Sequence, residues 1–148
     1  MRLCSIASGS SGNCIYIGSD TTHLLVDTGI SGRRIEAGLK ALQLSLRDVD
    51  GILITHEHSD HISGLGVLLR KREIPVYATA GTIRRLRETA SLRGIPAELF
   101  QEVREEEHFV IKDITVAPME ISHDAAQPAA YRFRHDGKWA GIMTDLGV

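Results

Sequence analysis

Four side chains of types that commonly bind metal ions stand within six consecutive positions of the stretch ITHEHSDH. They are His56, His58, Asp60 and His61. Neutral imidazoles and carboxylates are typical ligands of zinc and of related divalent ions. An isolated aspartate at such a place could simply cap a helix, and an isolated histidine would usually be structural. Together, at H-x-H-x-D-H spacing, these residues predict a metal site.

The elements on either side of this cluster predict how it is presented. The apolar run GILIT precedes it and indicates a short strand buried on both faces. Apolar residues at three- and four-residue spacing after it indicate a helix. Alternate side chains of an extended segment share a face, so His56 and His58 can point to one ion together. Asp60 and His61 lie where the chain turns into the helix, and they can reach a second, adjacent position.

The remaining segments predict a layered α/β or α+β domain. Strands alternate with helices first, and a run of strands with tight turns follows. The turn-forming stretch SGSSGN separates the first two strands, while the acidic stretch EVREEEH is interpreted as an exposed turn. The predicted strands are RLCSIA, CIYIG, THLLVD, GILIT, IPVYA, HFVI, ITVAPME, PAAYRFRH and KWAGIMT; the predicted helices cover residues 35–44, the segment from Ile62 to RKRE, and TIRRLRETASLRG, stopped at Gly94.

The composition narrows the class of protein. A length of 148 residues points to one domain, and no apolar run approaches the ~20 residues of a membrane span. The N-terminal stretch turns polar too soon for a signal peptide, so we expect the cytoplasm. The net charge of −2 excludes a general attraction to nucleic acid and leaves only local patches for phosphate contacts. Cys4 and Cys14 are too few for a disulfide framework and are expected to be small buried residues on neighbouring strands.

The spacing of the cluster resembles the motif of the metallo-β-lactamase superfamily, and three further segments agree with it. LLVDTG is similar to the superfamily's early strand ending in aspartate, here Asp27. ISHDA is similar to the segment of the next histidine ligand, here His123, and IMTDLG to the strand ending in a bridging aspartate, here Asp145. With the opening IASGSSGN, these motifs resemble the YycJ/WalJ-like group of bacterial members. The resemblance implies the N-terminal part of an αββα sandwich.

The resemblance also implies a dinuclear metal site. One divalent ion would be held by three histidines and another by an aspartate and a histidine, with a second aspartate as the bridge. Asp27 would support the site from a second shell, and Asp60 could additionally orient the attacking hydroxide as a catalytic residue. Zinc is favoured, although such ligands also accept manganese and iron. The implied ligands are His56, His58 and His123 for the first ion, Asp60 and His61 for the second, and Asp145 for both.

Two adjacent ions can generate a hydroxide at neutral pH and stabilise the attacking and leaving oxygens, which suits ester hydrolysis. Within the superfamily that the chain resembles, lactamases usually carry arginine at the position of His61, so this histidine makes a lactamase less favoured. Flavodiiron oxidoreductases usually carry glutamate at the position of His58, so a redox function is less favoured as well. The YycJ/WalJ-like motifs imply a phosphodiesterase, with exonuclease action on DNA and DNA or RNA as the partner. Two alternatives stay open: a thioester or small-ester hydrolase, and a metal-binding fragment without turnover.

The resemblance implies a longer chain than this one. Members of the superfamily usually carry a second αβ half and a further histidine ligand, and neither has a counterpart before Val148. We therefore expect residues 1–148 to form a single, apparently truncated domain. A sheet face without its covering layer is expected to favour pairing with a second copy, giving a homo-oligomer.

Overall fold

Six strands form one sheet, and their order in space follows their order in the chain. The structure is a computed structural model that describes residues 1–121 and 126–142, the last of these by its backbone only. The first three strands pair antiparallel, and the other neighbouring pairs are parallel. The strands are β1 (Arg2–Ala7), β2 (Cys14–Gly18), β3 (His23–Val26), β4 (Gly51–Leu53), β5 (Val76–Thr79) and β6 (Phe100–Val103).

Strand β4 is an inner strand buried on both faces, which confirms the prediction from its continuous apolar run. Ile52 packs into the core beneath the helices, whereas Leu53 packs into the core between the two sheets. Both side chains are fully buried. Removing a side chain of this size from water stabilises the fold by about 1.5–3 kcal/mol. The burial of both faces therefore fixes the strand and the position of the residues that follow it.

Four helices cover one face of the six-stranded sheet. Their buried side chains, among them Leu39, Leu68 and Leu86, share one apolar core with that face. The side chain of Ser31 caps the first helix by accepting from the backbone N–H of Arg34. No helix in the described part of the chain is long and apolar enough to cross a bilayer. The helices are α1 (Gly32–Ala41), α2 (Ser59–Ile62), α3 (Leu65–Lys71) and α4 (Ala80–Glu88), with 3-10 turns at Leu46–Asp48, Ala90–Leu92 and Ala97–Leu99.

A second, antiparallel sheet packs against the other face of the first sheet. The fully buried side chains of Tyr131 and Phe133 lie in the core between the two sheets. The layers are therefore helices, sheet and sheet, which confirms the predicted α/β class and the expected part of an αββα sandwich. The strands, in spatial order, are β10 (Lys138–Ile142), β9 (Ala129–His135), β8 (Ile114–Glu120) and β7 (Phe109–Ile111).

The outer face of this second sheet carries charged as well as apolar side chains. The guanidinium carbon of Arg132 lies 4.4 Å from the ring centroid of Trp139, and that of Arg134 lies 5.2 Å from it. Val110 on the same face is 64% exposed. The face expected to be bare and apolar is thus a mixed surface over the described residues, and pairing with a second copy stays a prediction.

Three segments differ from their predicted structure. The single helix expected after the histidine cluster is divided into α2 and α3 at Gly64, whose N–H donates to the carbonyl of Thr28. The helix expected to run to Gly94 ends at Glu88, because Thr89 takes an extended backbone. The acidic stretch interpreted as an exposed turn begins inside β6, which pairs with β5 along its length.

Candidate metal centre

The histidine cluster lies at the edge of the sheet where the parallel strands β3 and β4 end. The chain leaves β4 at Leu53 and enters α2 at Ser59. His56 and His61 are fully buried, whereas His58 is partly exposed. Functional groups of α/β folds usually collect at this end of the strands. The segment after the buried strand therefore places two imidazoles in the interior and leaves a third partly accessible to solvent.

Three of the clustered side chains bring their donor atoms together. One donor atom each from His56, His58 and Asp60 lies within 4.8 Å of the others. The His56 ring centroid is 4.7 Å from that of His58 and 3.9 Å from that of His61. A zinc ion with bonds of about 2.0–2.2 Å needs tetrahedral donors somewhat closer than this. The three side chains are therefore close enough to be candidate ligands of one ion.

Asp60 also lies beside the remaining histidine. Its Oδ2 is 3.6 Å from Nε2 of His61, and its side chain is 27% exposed. The carboxylate of Asp60 is thus close both to His61 and to the group that it forms with His56 and His58.

Asp27 is buried behind the cluster and contacts both Thr55 and His61. Its Oδ2 lies 2.6 Å from Nδ1 of His61, and its two oxygens accept from the backbone N–H and the hydroxyl of Thr55 at 2.8 and 2.7 Å. The backbone of Asp27 has a φ of 64°, in the left-handed region that few non-glycine residues adopt. This strained turn at the end of β3 aims the carboxylate at the histidines.

These contacts fix which nitrogen of each buried imidazole can bind a metal. Asp27 holds the proton of His61 on Nδ1, which places the lone pair on Nε2. The single hydroxyl hydrogen of Thr55 is given to Asp27, so the contact of 3.0 Å with Nδ1 of His56 makes Thr55 the acceptor there. His56 therefore also carries its lone pair on Nε2. Metal-binding histidines are oriented in this way by carboxylates and hydroxyls behind them.

Backbone hydrogen bonds lock the segments around the cluster to each other. The N–H of Asn13 donates to the carbonyl of Asp60 at 2.8 Å, and the N–H of Gly29 donates to the carbonyl of Asn13 at 2.7 Å. The N–H of Thr28 donates to the carbonyl of His61 at 2.8 Å. A Cβ at Gly29 would overlap the Asp60 carbonyl, so only glycine allows this approach. The ligand segment is therefore held on two sides by loops that follow β1 and β3.

A comparison with protein families shows to which family this chain belongs. The family model described as the metallo-beta-lactamase superfamily matches residues 7–137, which is most of the chain. The chain belongs to the metallo-beta-lactamase superfamily. This confirms the family resemblance inferred from the sequence.

Curated relatives narrow the similarity within the superfamily. The chain is 43% identical over 142 residues to the exodeoxyribonuclease YycJ of Bacillus anthracis, and 39% identical over the same length to the exodeoxyribonuclease WalJ of Streptococcus pneumoniae D39. Each match covers 96% of this chain and 53% of the relative. The chain thus spans about half the length of the curated relatives it matches. These matches confirm the expected YycJ/WalJ-like group.

Solved structures support the fold. The Rm3 metallo-beta-lactamase superimposes with a TM-score of 0.74 over 93% of this chain and 56% of the other, at 21% sequence identity. At that identity the similarity speaks for the shared fold alone. The superfamily implies divalent metal ions, and the clustered imidazole and carboxylate donors are the types that such ions bind. The residues present therefore fit the ions that the superfamily implies.

Five of the predicted site residues lie in the part of the chain that the structure describes. His56, His58, Asp60 and His61 lie together, and Asp27 contacts His61 directly. The donors of Asp60 group with His56 and His58 as well as with the predicted partner His61. His123 and Asp145 lie outside the described residues. Their roles, and the ligand roles of the others, stay predictions.

Two residues at the centre were not selected from the sequence as site residues. Thr55 contacts both Asp27 and His56. The one feature of the sequence that could have indicated this role is its position between the buried strand and the first histidine. Glu57, between two predicted ligands, accepts from the N–H of Ala126 at 3.1 Å. This contact holds the chain just beyond residues 122–125. Nothing in the spacing of acidic residues predicts a partner 69 positions away.

Proposed function

We propose that this chain forms part of a metal-dependent phosphodiesterase that removes nucleotides from DNA ends, with two divalent ions at its centre. The observation that carries the proposal is the pair of buried imidazoles, His56 and His61, oriented by the single carboxylate of Asp27. The similarity to relatives named exodeoxyribonucleases supports DNA as the substrate. The cytoplasm expected from the N-terminal sequence is the location that goes with this proposal.

The chain's own residues have distinct proposed tasks. His56, His58 and His123 would hold the first ion, and Asp60 with His61 would hold the second. Asp145 would bridge the two. Zinc is the favoured ion, with manganese or iron as alternatives of similar ligand preference. When bound, such ions supply Lewis acidity and lower the pKa of water.

Asp60 is the proposed catalytic residue. Its side chain is 27% exposed and lies beside His61, so water can reach the carboxylate and one of its oxygens can accept a proton from an attacking water. The buried Asp27 cannot take this task, because its oxygens already accept from Thr55 and His61. The two carboxylates thus have separate tasks, one on the reacting water and one on the imidazoles.

The test joins metal analysis to end-specific DNA hydrolysis. The metal content of the purified chain would be measured, and hydrolysis would then be followed on duplex and single-stranded DNA labelled at either end, with and without chelator. Two ions per chain and release of mononucleotides, abolished in Asp60→Asn, would support the proposal. An acyl thioester serves as the competing substrate. Hydrolysis of the thioester with intact DNA would favour the thioesterase alternative, and bound metal without either reaction would favour a fragment without turnover.

A further inference from the structure

The side chain of Asn13 reaches the metal centre from the loop between β1 and β2. Asn13 is 8% exposed, and its amide nitrogen lies 3.0 Å from the Gly9 carbonyl, 3.2 Å from the Asp60 carbonyl and 3.3 Å from Nε2 of His61. Its amide oxygen accepts from the N–H of Gly9 at 3.1 Å. One side chain therefore joins the glycine-containing loop, the backbone of one proposed ligand and the ring of another.

The contact with His61 occurs at the nitrogen that the proposed second ion would use. Because Asp27 holds the proton of His61 on Nδ1, the lone pair of Nε2 points toward the Asn13 amide. The amide nitrogen has two hydrogens but three acceptors within 3.3 Å. It can give up His61 and still donate both hydrogens, to the Gly9 and Asp60 carbonyls. The release therefore leaves no buried N–H unsatisfied.

We infer that Asn13 is a positioning residue for the second metal ion: it holds the metal-binding edge of His61 in place before the ion arrives and yields that edge without loss of its other hydrogen bonds. This inference rests on the proposed role of His61 as a ligand. The long contact of 3.3 Å competes weakly with a metal–nitrogen bond, whereas the ties to Gly9 and Asp60 keep the site in shape. Replacing Asn13 is thus expected to weaken, not strengthen, the second binding step.

The experiment titrates Zn²⁺ and Co²⁺ separately into the metal-free chain, with a competing chromophoric chelator and, for Co²⁺, the visible absorption as readouts. Asn13→Ala is expected to weaken the second binding step about tenfold and leave the first unchanged. Ser11→Ala is the matched control, since Ser11 lies in the same loop with an exposed side chain. If Asn13→Ala does not fold, Asn13→Ser, which keeps one donor hydrogen, is expected to weaken the same step.

The outcomes separate this inference from the proposed function. Equal weakening of both steps would show a merely structural role for Asn13 and overturn the inference, as would two unchanged steps. Fewer than two ions in the unaltered chain would instead overturn the dinuclear site itself, and the role of Asn13 with it.

Discussion

Oδ2 of Asp27 lies 2.6 Å from Nδ1 of His61, and both side chains are buried. The same carboxylate accepts the hydroxyl of Thr55, whose oxygen lies 3.0 Å from Nδ1 of His56. One carboxylate therefore orients two imidazoles, His61 directly and His56 through Thr55, whose ring centroids are 3.9 Å apart. The orientation of both His56 and His61 therefore depends on Asp27.

Asp27→Asn should weaken metal binding at both histidines. The amide keeps the size of the carboxylate and tolerates the left-handed backbone, but it presents a donor where a histidine or Thr55 hydrogen needs an acceptor. We expect 10–100-fold weaker binding of Zn²⁺, as for other residues behind metal ligands. Competition with a chromophoric chelator measures this. Asp136→Asn makes the same change at an exposed turn and should bind Zn²⁺ with the affinity of the unaltered chain. An unchanged Zn²⁺ affinity in Asp27→Asn would contradict the proposed orientation of the histidines by Asp27.

Thr55→Val tests the link between Asp27 and His56. Valine keeps the shape of threonine but removes the hydroxyl, and Asp27 then loses one of its partners. We expect a loss of about 1–3 kcal/mol in the free energy of unfolding of the metal-free chain, measured by denaturant titration. Thr55→Ser should recover most of it, because the hydroxyl returns. Thr115→Val, in a strand of the second sheet, is the control. An equal loss of stability in Thr115→Val would contradict a specific role of the Thr55 hydroxyl.

Gly29→Ala should disrupt the contact between the loop after β3 and the ligand segment. The added Cβ would overlap the carbonyl of Asp60, and backbone cannot move aside as a flexible side chain can. We expect a loss of about 3 kcal/mol or more, or failure to fold. Gly141→Ala is the matched control, since its Cβ would lie 3.8 Å from the side chain of Arg132. Thermal unfolding compares the two, and equal stability would contradict the packing.

Asp113 should make stability depend on pH in the acid range. Hydrogen bonds from Thr22 and then Ser19 lower its pKa from 3.8 to about 2. Because the folded pKa lies below the unfolded one, this contribution is present above pH 3.8 and is lost as the pH falls through about 2. Denaturant unfolding of Asp113→Asn and of the unaltered chain should therefore differ most near neutral pH. A difference that stays constant down to pH 2 would contradict the assignment, and Asp20→Asn controls for loss of a nearby charge.

The proximity of His56, His58, Asp60 and His61 could be predicted from the sequence, because these residues are close in the chain and follow a recognisable buried strand. β4 and β8 were predicted because apolar and β-branched residues dominate the stretches GILIT and ITVAPME. Strand β6 was missed. Its four residues, FQEV, carry two charged or polar side chains, and they become a strand through pairing with β5.

The resemblance implied a supporting role for Asp27, but the contacts of Asn13 and Glu57 could not be predicted, because they join residues that are distant in the chain. Asn13 meets His61 across 48 positions, and this depends on how two loops close against each other. The end of α4 is a similar case. The apolar spacing continues past Glu88, but Thr89 turns its hydroxyl back to the Arg85 carbonyl and leaves the helical conformation.

Trp139, on which Arg132 and Arg134 stack, is an intrinsic fluorescent probe of the outer face of the second sheet. Trp139 is the single tryptophan of the chain, and its ring lies on the outer face of the second sheet with 37% of its surface exposed. A neighbour that covers that face, whether a second copy or another protein segment, would remove water from the indole and shift its emission to shorter wavelengths. Fluorescence as a function of concentration therefore reports directly on whether the face is covered.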